Sequence, residues 1–390
     1  MTIKKTIFSQ LLEFAPRREF SRCVTRYKGN YNVRSFSCWD QFLCMLFAQL
    51  TNRDSLRDIE ICLRGMEGKL YRIGIRGKIS RSTLSDANNQ RPSAIYRDFC
   101  KILSTRAQEL YKSEEYISES LPPAYALDSS WVKVCLELCP WALFSKSQNT
   151  AFIKLHTLLD LRGAIPTFIA ITPANINDFL LIDDIPFLPG SFVVMDKGYF
   201  DLSRLGRLND RHVYFVIRKK KYVTTRCISE NIVDSSATGI ISDKIVRFKG
   251  RHAIKNYPDR LRQIKFEDLE SSRKFIYLTN NFNLSADIIC YLYKERWNIE
   301  IFFRWIKQHL RVTKFYGTSA NAIETQIFIS TAAYLLVAIA KKELKLKQPL
   351  YQILHLFSVS LFEEIPIIQA LSGLNSDKII TSADNQLILL

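Results

Sequence analysis

Residues 124–134 read AYALDSSWVKV, an apolar and β-branched run in which Asp128 interrupts a segment suited to a buried strand. An Asp inside such a strand is costly unless it is paired or bound to a metal. Ile153–Leu161 and Ile165–Thr172 flank the turn Arg162-Gly163, so these segments and the first predict an antiparallel meander. In SFVVMDKGYF, the short apolar strand Phe192–Met195 ends on Asp196. A helix from Asp201 to about Leu208 and a buried strand Val213–Ile217 are expected next. A meander followed by strand–helix–strand alternation indicates an α/β fold with a mixed sheet. Asp196 then projects from a strand's carboxyl end, the edge where open α/β sheets place ligand and metal sites. Taken singly, Asp128 and Asp196 also have the plainer reading of structural or capping residues.

Outward from this core the texture changes. From Lys219 to about Ser272, short polar-alternating pieces (Tyr222–Cys227, Lys244–Phe248, Arg262–Phe266) with basic residues between them predict an inserted β-rich domain. Strand texture resumes at Lys274–Leu278, and a long helix is expected from about Ser285 to His309. Residues 5–113 read as helical, with Asp54 expected to cap Leu56–Leu63 and Ser80 or Ser82 a short helix before Pro92. Two short helices in ISRSTLSDANNQRPSAIYRDF suit a helix-turn-helix-like DNA reader, and a plain helical bundle accounts for them equally well. Ala320–Leu346 and Leu350–Leu371 read as helical; in the latter, Phe357, Leu361, Phe362 and Ile365 suit a helix–helix interface or packing on the core.

Composition narrows the function. The 390 residues are 47% hydrophobic and 24% charged, which describes a folded chain and not a disordered one. Fifty-five Lys and Arg against 38 Asp and Glu leave +17, pointing to a polyanionic partner. Residues 1–100 carry +9, 101–200 carry −3 and 201–300 carry +8. A carboxylate metal site between phosphate-gripping surfaces has this distribution, as does random variation among solvated faces. The opening MTIKKTIFSQ lacks the apolar stretch of a signal peptide, and Thr325–Ala340 contains Thr, Gln and Ser, as a buried core helix does. No membrane partner is therefore expected. The nine cysteines show no zinc spacing, and Cys135 and Cys139 stand without a His partner. The pattern fits reduced, buried thiols in a cytoplasmic protein. His156, on an expected strand, reads as a core residue.

Within the long helix, Tyr293, Arg296, Glu300 and Lys307 fall within about 60° of one face at about 100° per residue. A face lined by Tyr, Arg, a carboxylate and Lys suits phosphate and metal; the plainer alternative is a solvated polar stripe. The spacing in YKERWNIEIFFRWIK is that of the YREK signature, and the chain resembles the cut-and-paste bacterial transposases of the insertion-sequence-four family. Asp128 in LDSS and Asp196 in MDKGYFD match that family's two catalytic aspartates, and QLLEFAPRREF and STLSDANNQRP also resemble it.

The resemblance implies an RNase H-like mixed-sheet core with Asp128, Asp196 and Glu300 as catalytic, metal-binding carboxylates. The implied organisation is a helical DNA-binding domain over 1–115, the core over 120–221 and 273–346, a β-rich insertion over 222–272, and a helical segment over 347–390 suited to dimerisation. It implies Mg²⁺, with Mn²⁺ able to substitute, since paired divalent ions activate the attacking oxygen and stabilise phosphate charge. Tyr293, Arg296, Trp297 and Lys307 would grip the transposon end, and the basic run Arg218, Lys219, Lys220 and Lys221 would add phosphate contacts. The implied partners are double-stranded DNA, as terminal inverted repeats and as target, and a second copy of the chain in a synaptic homodimer on the bacterial nucleoid. Relatives use a Trp in the insertion to stack on a flipped base during hairpin formation. No Trp lies between 142 and 296 here, which leaves Tyr222, Phe248 or Tyr257 to replace it. A catalytically inactive DNA-binding repressor is the alternative function; a nuclease of RNA–DNA hybrids is a third.

Overall fold

The structure, a computed structural model, describes residues 5–113, 121–134, 140–145, 150–233, 239–269, 272–310 and 314–372. Cys135 and Cys139 lie outside the described residues. The chain forms two units, one of Tyr111–Arg304 and one of Met1–Leu110 with Trp305–Leu390.

The first unit is built on a ten-stranded mixed sheet. Its strands are β1 (Ala124–Val134), β2 (Leu143–Ser145), β3 (Thr150–Asp160), β4 (Ile165–Pro173), β5 (Phe192–Met195), β6 (Tyr214–Arg218), β7 (Thr225–Asn231), β8 (Ile240–Phe248), β9 (Leu261–Glu267) and β10 (Lys274–Thr279). Strands β1, β3 and β4 pair antiparallel as a meander. At the centre, β5 runs parallel to both β1 and β6. Alternation along these strands sends Tyr125, Leu127, Val193, Met195, Phe215 and Ile217 to one face, where they pack with Leu205 and Leu208 of the Leu202–Asp210 helix. Asp201 caps that helix, accepting from the Arg204 amide at 3.0 Å. At the tight β3–β4 turn Gly163 has φ +70°, and a Cβ there would meet the Tyr111 ring at 2.1 Å, so only glycine fits.

The strands expected as an inserted domain do not stand apart. β10 pairs antiparallel with β6, and β9, β8 and β7 follow outward in the same sheet. The physical reason is edge satisfaction: β6 would otherwise leave a row of backbone groups unpaired. A bidentate ion pair ties β8 to β9. Arg262 Nε donates to Asp243 Oδ1 at 2.9 Å and Nη2 to Oδ2 at 2.8 Å, both side chains being buried, and Nη1 donates to the Leu284 carbonyl. Burial opposes ionisation of Asp243, but hydrogen bonds from Arg262 and Asn231 outweigh it and hold its pKa below the usual range.

In the second unit, the Ala320–Glu343 helix is apolar on all sides. It is the one helix among the described residues long and apolar enough to cross a membrane, and 94% of its apolar window is buried inside the fold. Its polar groups find partners: Ser330 Oγ donates to the Gln326 carbonyl at 2.7 Å and reaches Gln49 Oε1 at 3.0 Å. The Cys38–Leu50 helix packs along it, opened by a capping box between Ser37 and Asp40. Ser55, not Asp54, caps Leu56–Gly65, because the Ser55 hydroxyl is the acceptor in reach of the Asp58 amide. Ser80, not Ser82, caps Arg81–Gln90. That helix and Ala94–Tyr111, separated by Arg91, Pro92 and Ser93, join a buried network in which Gln41 bonds both Asn88 and Tyr96 at 2.8 Å. Of the expected C-terminal stripe, Phe357, Leu361 and Phe362 pack on the core, with the Phe362 ring 5.7 Å from Phe47 and 6.1 Å from Phe8, and Ile365 is half-buried. The seven described cysteines are all unpaired.

Arg262→Ala is expected to cost about 3–5 kcal/mol in denaturant unfolding, because it leaves the Asp243 carboxylate buried without its partner. An Asp243→Leu/Arg262→Met double substitution, which removes both charges, should recover most of that loss.

Candidate active site

Strand register brings two carboxylates together. Leu127 pairs with Met195 at the end of the parallel β1–β5 ladder, so Asp128 and Asp196 follow at one level on adjacent strands. Met195 in turn pairs with Ile217 and Arg218 with Tyr277, which extends the row across β6 and β10. Asp196 terminates its strand as the first residue of the short turn Lys197–Tyr199. Asp128 is held within β1, opposite Thr157, with its Oδ1 accepting from the Ser129 amide at 2.9 Å.

The third carboxylate comes from the helical segment that follows β10. It is two helices, Ala286–Glu295 and Trp297–His309, rather than one continuous helix. Arg296 stands at the joint, where two tight i→i+3 bonds (Arg296 amide to Tyr293 carbonyl, Ile299 amide to Arg296 carbonyl) replace the regular ladder. The joint turns Arg296 toward the sheet. Its Nη1 donates to Asp128 Oδ2 at 3.0 Å and its Nη2 to Glu300 Oε1 at 2.6 Å, so one guanidinium joins two of the three carboxylates. Burial pushes Asp128 up to about 6, against the pull of Arg296 and the Ser129 amide, and the Glu300 and Asp196 charges push the same way as burial. Burial opposes the charge on Arg296, but Glu300 and Asp128 more than restore it.

Beside Asp196 opens a cavity of about 490 Å³, walled by Arg218, Tyr277, Tyr293, Arg296 and Trp297 among others. Tyr293 packs its ring 4.4 Å from that of Tyr277, and burial pushes its hydroxyl up to about 12. Trp297 is half exposed at the rim. Lys307 lies two turns beyond Glu300 on the same helix, in the other unit, and burial lowers its pKa.

The basic run departs from the expected phosphate-gripping arm. Arg218 covers the Phe275 ring at 4.9 Å. Lys219 turns into the sheet, with Nζ donating to Gln263 at 3.0 Å and to Thr225 at 3.2 Å, and burial lowers its pKa. Lys220 donates to the Phe200 carbonyl, and Lys221 alone of the four is fully exposed. Of the three aromatic residues expected to replace the missing Trp, Tyr222 is 74% exposed, whereas Phe248 and Tyr257 are buried among the apolar core. His156 pairs across from Ser129, one step from Asp128, so it lies on the opposite sheet face. There it is buried against Thr172, with its pKa pushed down to about 4 by burial.

Sequence reasoning did not single out Tyr277 or Phe275. Their signal was present in the alternating KFIYLT, but only the register with β6 sets Tyr277 beside the site. It also did not anticipate that Arg296 pairs with the carboxylates themselves.

The three side chains are hard oxygen donors of the kind Mg²⁺ takes. Among the described residues no three His, Cys, Asp or Glu side chains converge into a metal cluster. A guanidinium lies where two of the carboxylates meet.

The family described as "Transposase DDE domain" matches residues 119–336, and a "Domain of unknown function (DUF4372)" matches residues 3–76. A Sinorhizobium fredii protein named as a transposase, y4zB, is 28% identical over 283 residues, 72% of this chain and 77% of that one. One from Geobacillus stearothermophilus, named for insertion sequence element IS5377, is 30% identical over 216 residues, covering 55% and 56%. One from Synechocystis, named for element IS4SA, is 25% identical over 331 residues, covering 82% and 87%. The chain belongs to the insertion-sequence transposases that carry this DDE domain, consistent with the insertion-sequence-four family.

Lys219→Ala is expected to lower stability by about 1 kcal/mol, since it removes the two hydrogen bonds that Lys219 Nζ makes to half-buried Gln263 and Thr225. Lys221→Ala should change it by less than about 0.5 kcal/mol. Urea unfolding of the two variants checks the difference.

Proposed function

We propose that this transposase binds the terminal inverted repeats of its own insertion sequence, cuts the strands there and joins the freed ends to target DNA. The observation that carries the reading is the register that sets Asp128 and Asp196 side by side, with Glu300 tied to Asp128 through Arg296. These three carboxylates are the proposed catalytic and metal-binding groups, with Mg²⁺ or Mn²⁺ as cofactor. A role limited to binding DNA gives no reason to hold acidic groups so close to where phosphate must sit.

Tyr293, Arg296 and Lys307 are proposed to hold the end phosphates, Arg as a two-pronged donor and Lys as a point charge. Trp297 and Tyr222, both exposed, are proposed to stack on an unpaired base if the ends close through hairpins, since every base has a face on which an aromatic ring can stack. The basic N-terminal block, over 1–115, is the proposed reader of the repeats, and in the 218–221 run the exposed Lys221 and Arg218, in the wall of the cavity beside Asp196, are proposed to meet phosphate. The active species is proposed to be a homodimer that synapses two ends on the bacterial nucleoid, each active site acting on an end bound partly by the partner subunit.

Asp128→Ala, Asp196→Ala and Glu300→Ala are each expected to abolish nicking of end DNA in Mg²⁺ or Mn²⁺ while leaving its binding within a few-fold. Residual nicking by Glu300→Ala at the wild-type rate would sink the assignment. Lys221→Ala should flatten the log–log salt dependence of end binding by about 0.9. An unchanged slope would mean that Lys221 meets solvent alone.

A further inference from the structure

The side chain of Arg296 is 14% exposed and satisfies two carboxylates at once, Asp128 at 3.0 Å and Glu300 at 2.6 Å. Its Nε–H is buried with no hydrogen-bond partner among the described residues. A guanidinium offers five N–H donors in a rigid fork, and a buried donor left without a partner is destabilising. The arrangement is therefore a closed one with an unmet demand, and the group best shaped to meet it is a phosphate taking Nε and one Nη together.

The same arrangement excludes a metal ion. Mg²⁺ needs its oxygen ligands within about 2.1 Å, close to octahedral geometry. Here Asp128 Oδ2 and Glu300 Oε1 are engaged by two different nitrogens of one planar cation, which fills the space between them and supplies one of the two positive charges an ion would bring. One occupant must leave before the other enters.

We propose that Arg296 is a substrate-operated latch: in the DNA-free protein it neutralises Asp128 and Glu300 and blocks the metal position, and a backbone phosphate of bound DNA draws it away. This rests on the reading of Asp128 and Glu300 as metal ligands. The consequence is that metal and DNA bind cooperatively, each raising the other's affinity by the same factor. The protein then carries no loaded nuclease centre until an end is seated. No covalent step is involved; the exchange is of one cation for another at two carboxylates.

The test is Mn²⁺ binding to the full chain, followed by loss of the free-ion electron paramagnetic resonance signal, without DNA and with a pre-cleaved duplex of the element's end. Wild type should bind Mn²⁺ weakly alone and about tenfold or more tightly with the duplex. Arg296→Gln, its fold checked by circular dichroism, should bind Mn²⁺ alone about tenfold more tightly than DNA-free wild type. Equal Mn²⁺ affinity for DNA-free wild type and Arg296→Gln overturns the latch. If that variant does not fold, wild type decides: equal Mn²⁺ affinity with and without duplex overturns it as well. Adding Asp128→Ala and Glu300→Ala to Arg296→Gln separates the two readings. If the triple variant keeps the tightened Mn²⁺ binding, the carboxylates are not the ligands and the proposed active site fails, whereas a loss with the latch result absent leaves that site standing and removes only the latch.

Discussion

The parallel pairing of β1 with β5 is the constraint on which the rest of the site depends. Because Leu127 and Met195 are the last paired residues of the β1–β5 ladder, Asp128 within β1 and Asp196 just past the end of β5 follow next to each other on adjacent strands. Two acidic groups at that spacing, one of them substantially desolvated, repel each other and call for a cation. The burial that raises the pKa of Asp128 also strengthens its attraction to whatever positive group comes near.

The cation at hand is Arg296, which stands between the two helices. It keeps helical backbone angles, so it shares a face with Glu300, which it bonds, and with Tyr293, whose ring lies 5.8 Å away, while it reaches across to Asp128. The sheet beyond β6 supports this from below. Strands β7 to β10 close the open edge, and the buried Asp243–Arg262 pair, also bonded to the Leu284 carbonyl, anchors the start of the helical segment. A region that looks like an independent insertion along the chain is, in space, the floor on which the third carboxylate is mounted.

Much of the α/β unit was legible because burial writes itself into local pattern. Phe192–Met195 and Lys274–Leu278 are short apolar runs bounded by polar residues, and they form strands within a residue or two of those limits. The long apolar helix around Thr325–Ala340 was equally plain, since its Thr, Gln and Ser residues find partners only inside a folded core. Asp128, Asp196 and Glu300 stood out as carboxylates in places where a carboxylate needs a reason, and the spacing of Tyr293, Arg296, Glu300 and Lys307 supplied the family.

Three things were decided by tertiary structure alone. Which strands neighbour one another is set by long-range hydrogen bonding, so the placement of β7 to β9 in the main sheet could not be read from their alternation. Whether a charged or apolar residue faces solvent depends on what packs over it: Lys219 and Phe362 turned inward, while Tyr222 and Lys221 remained outside. And the pairing of Arg296 with Asp128 joins residues 168 positions apart, through a helix break that periodicity does not register. Sequence determined which residues carry the chemistry, because residue type and local spacing are properties of the chain itself. Structure determined which of them meet, because contact between distant segments exists only once the sheet has closed.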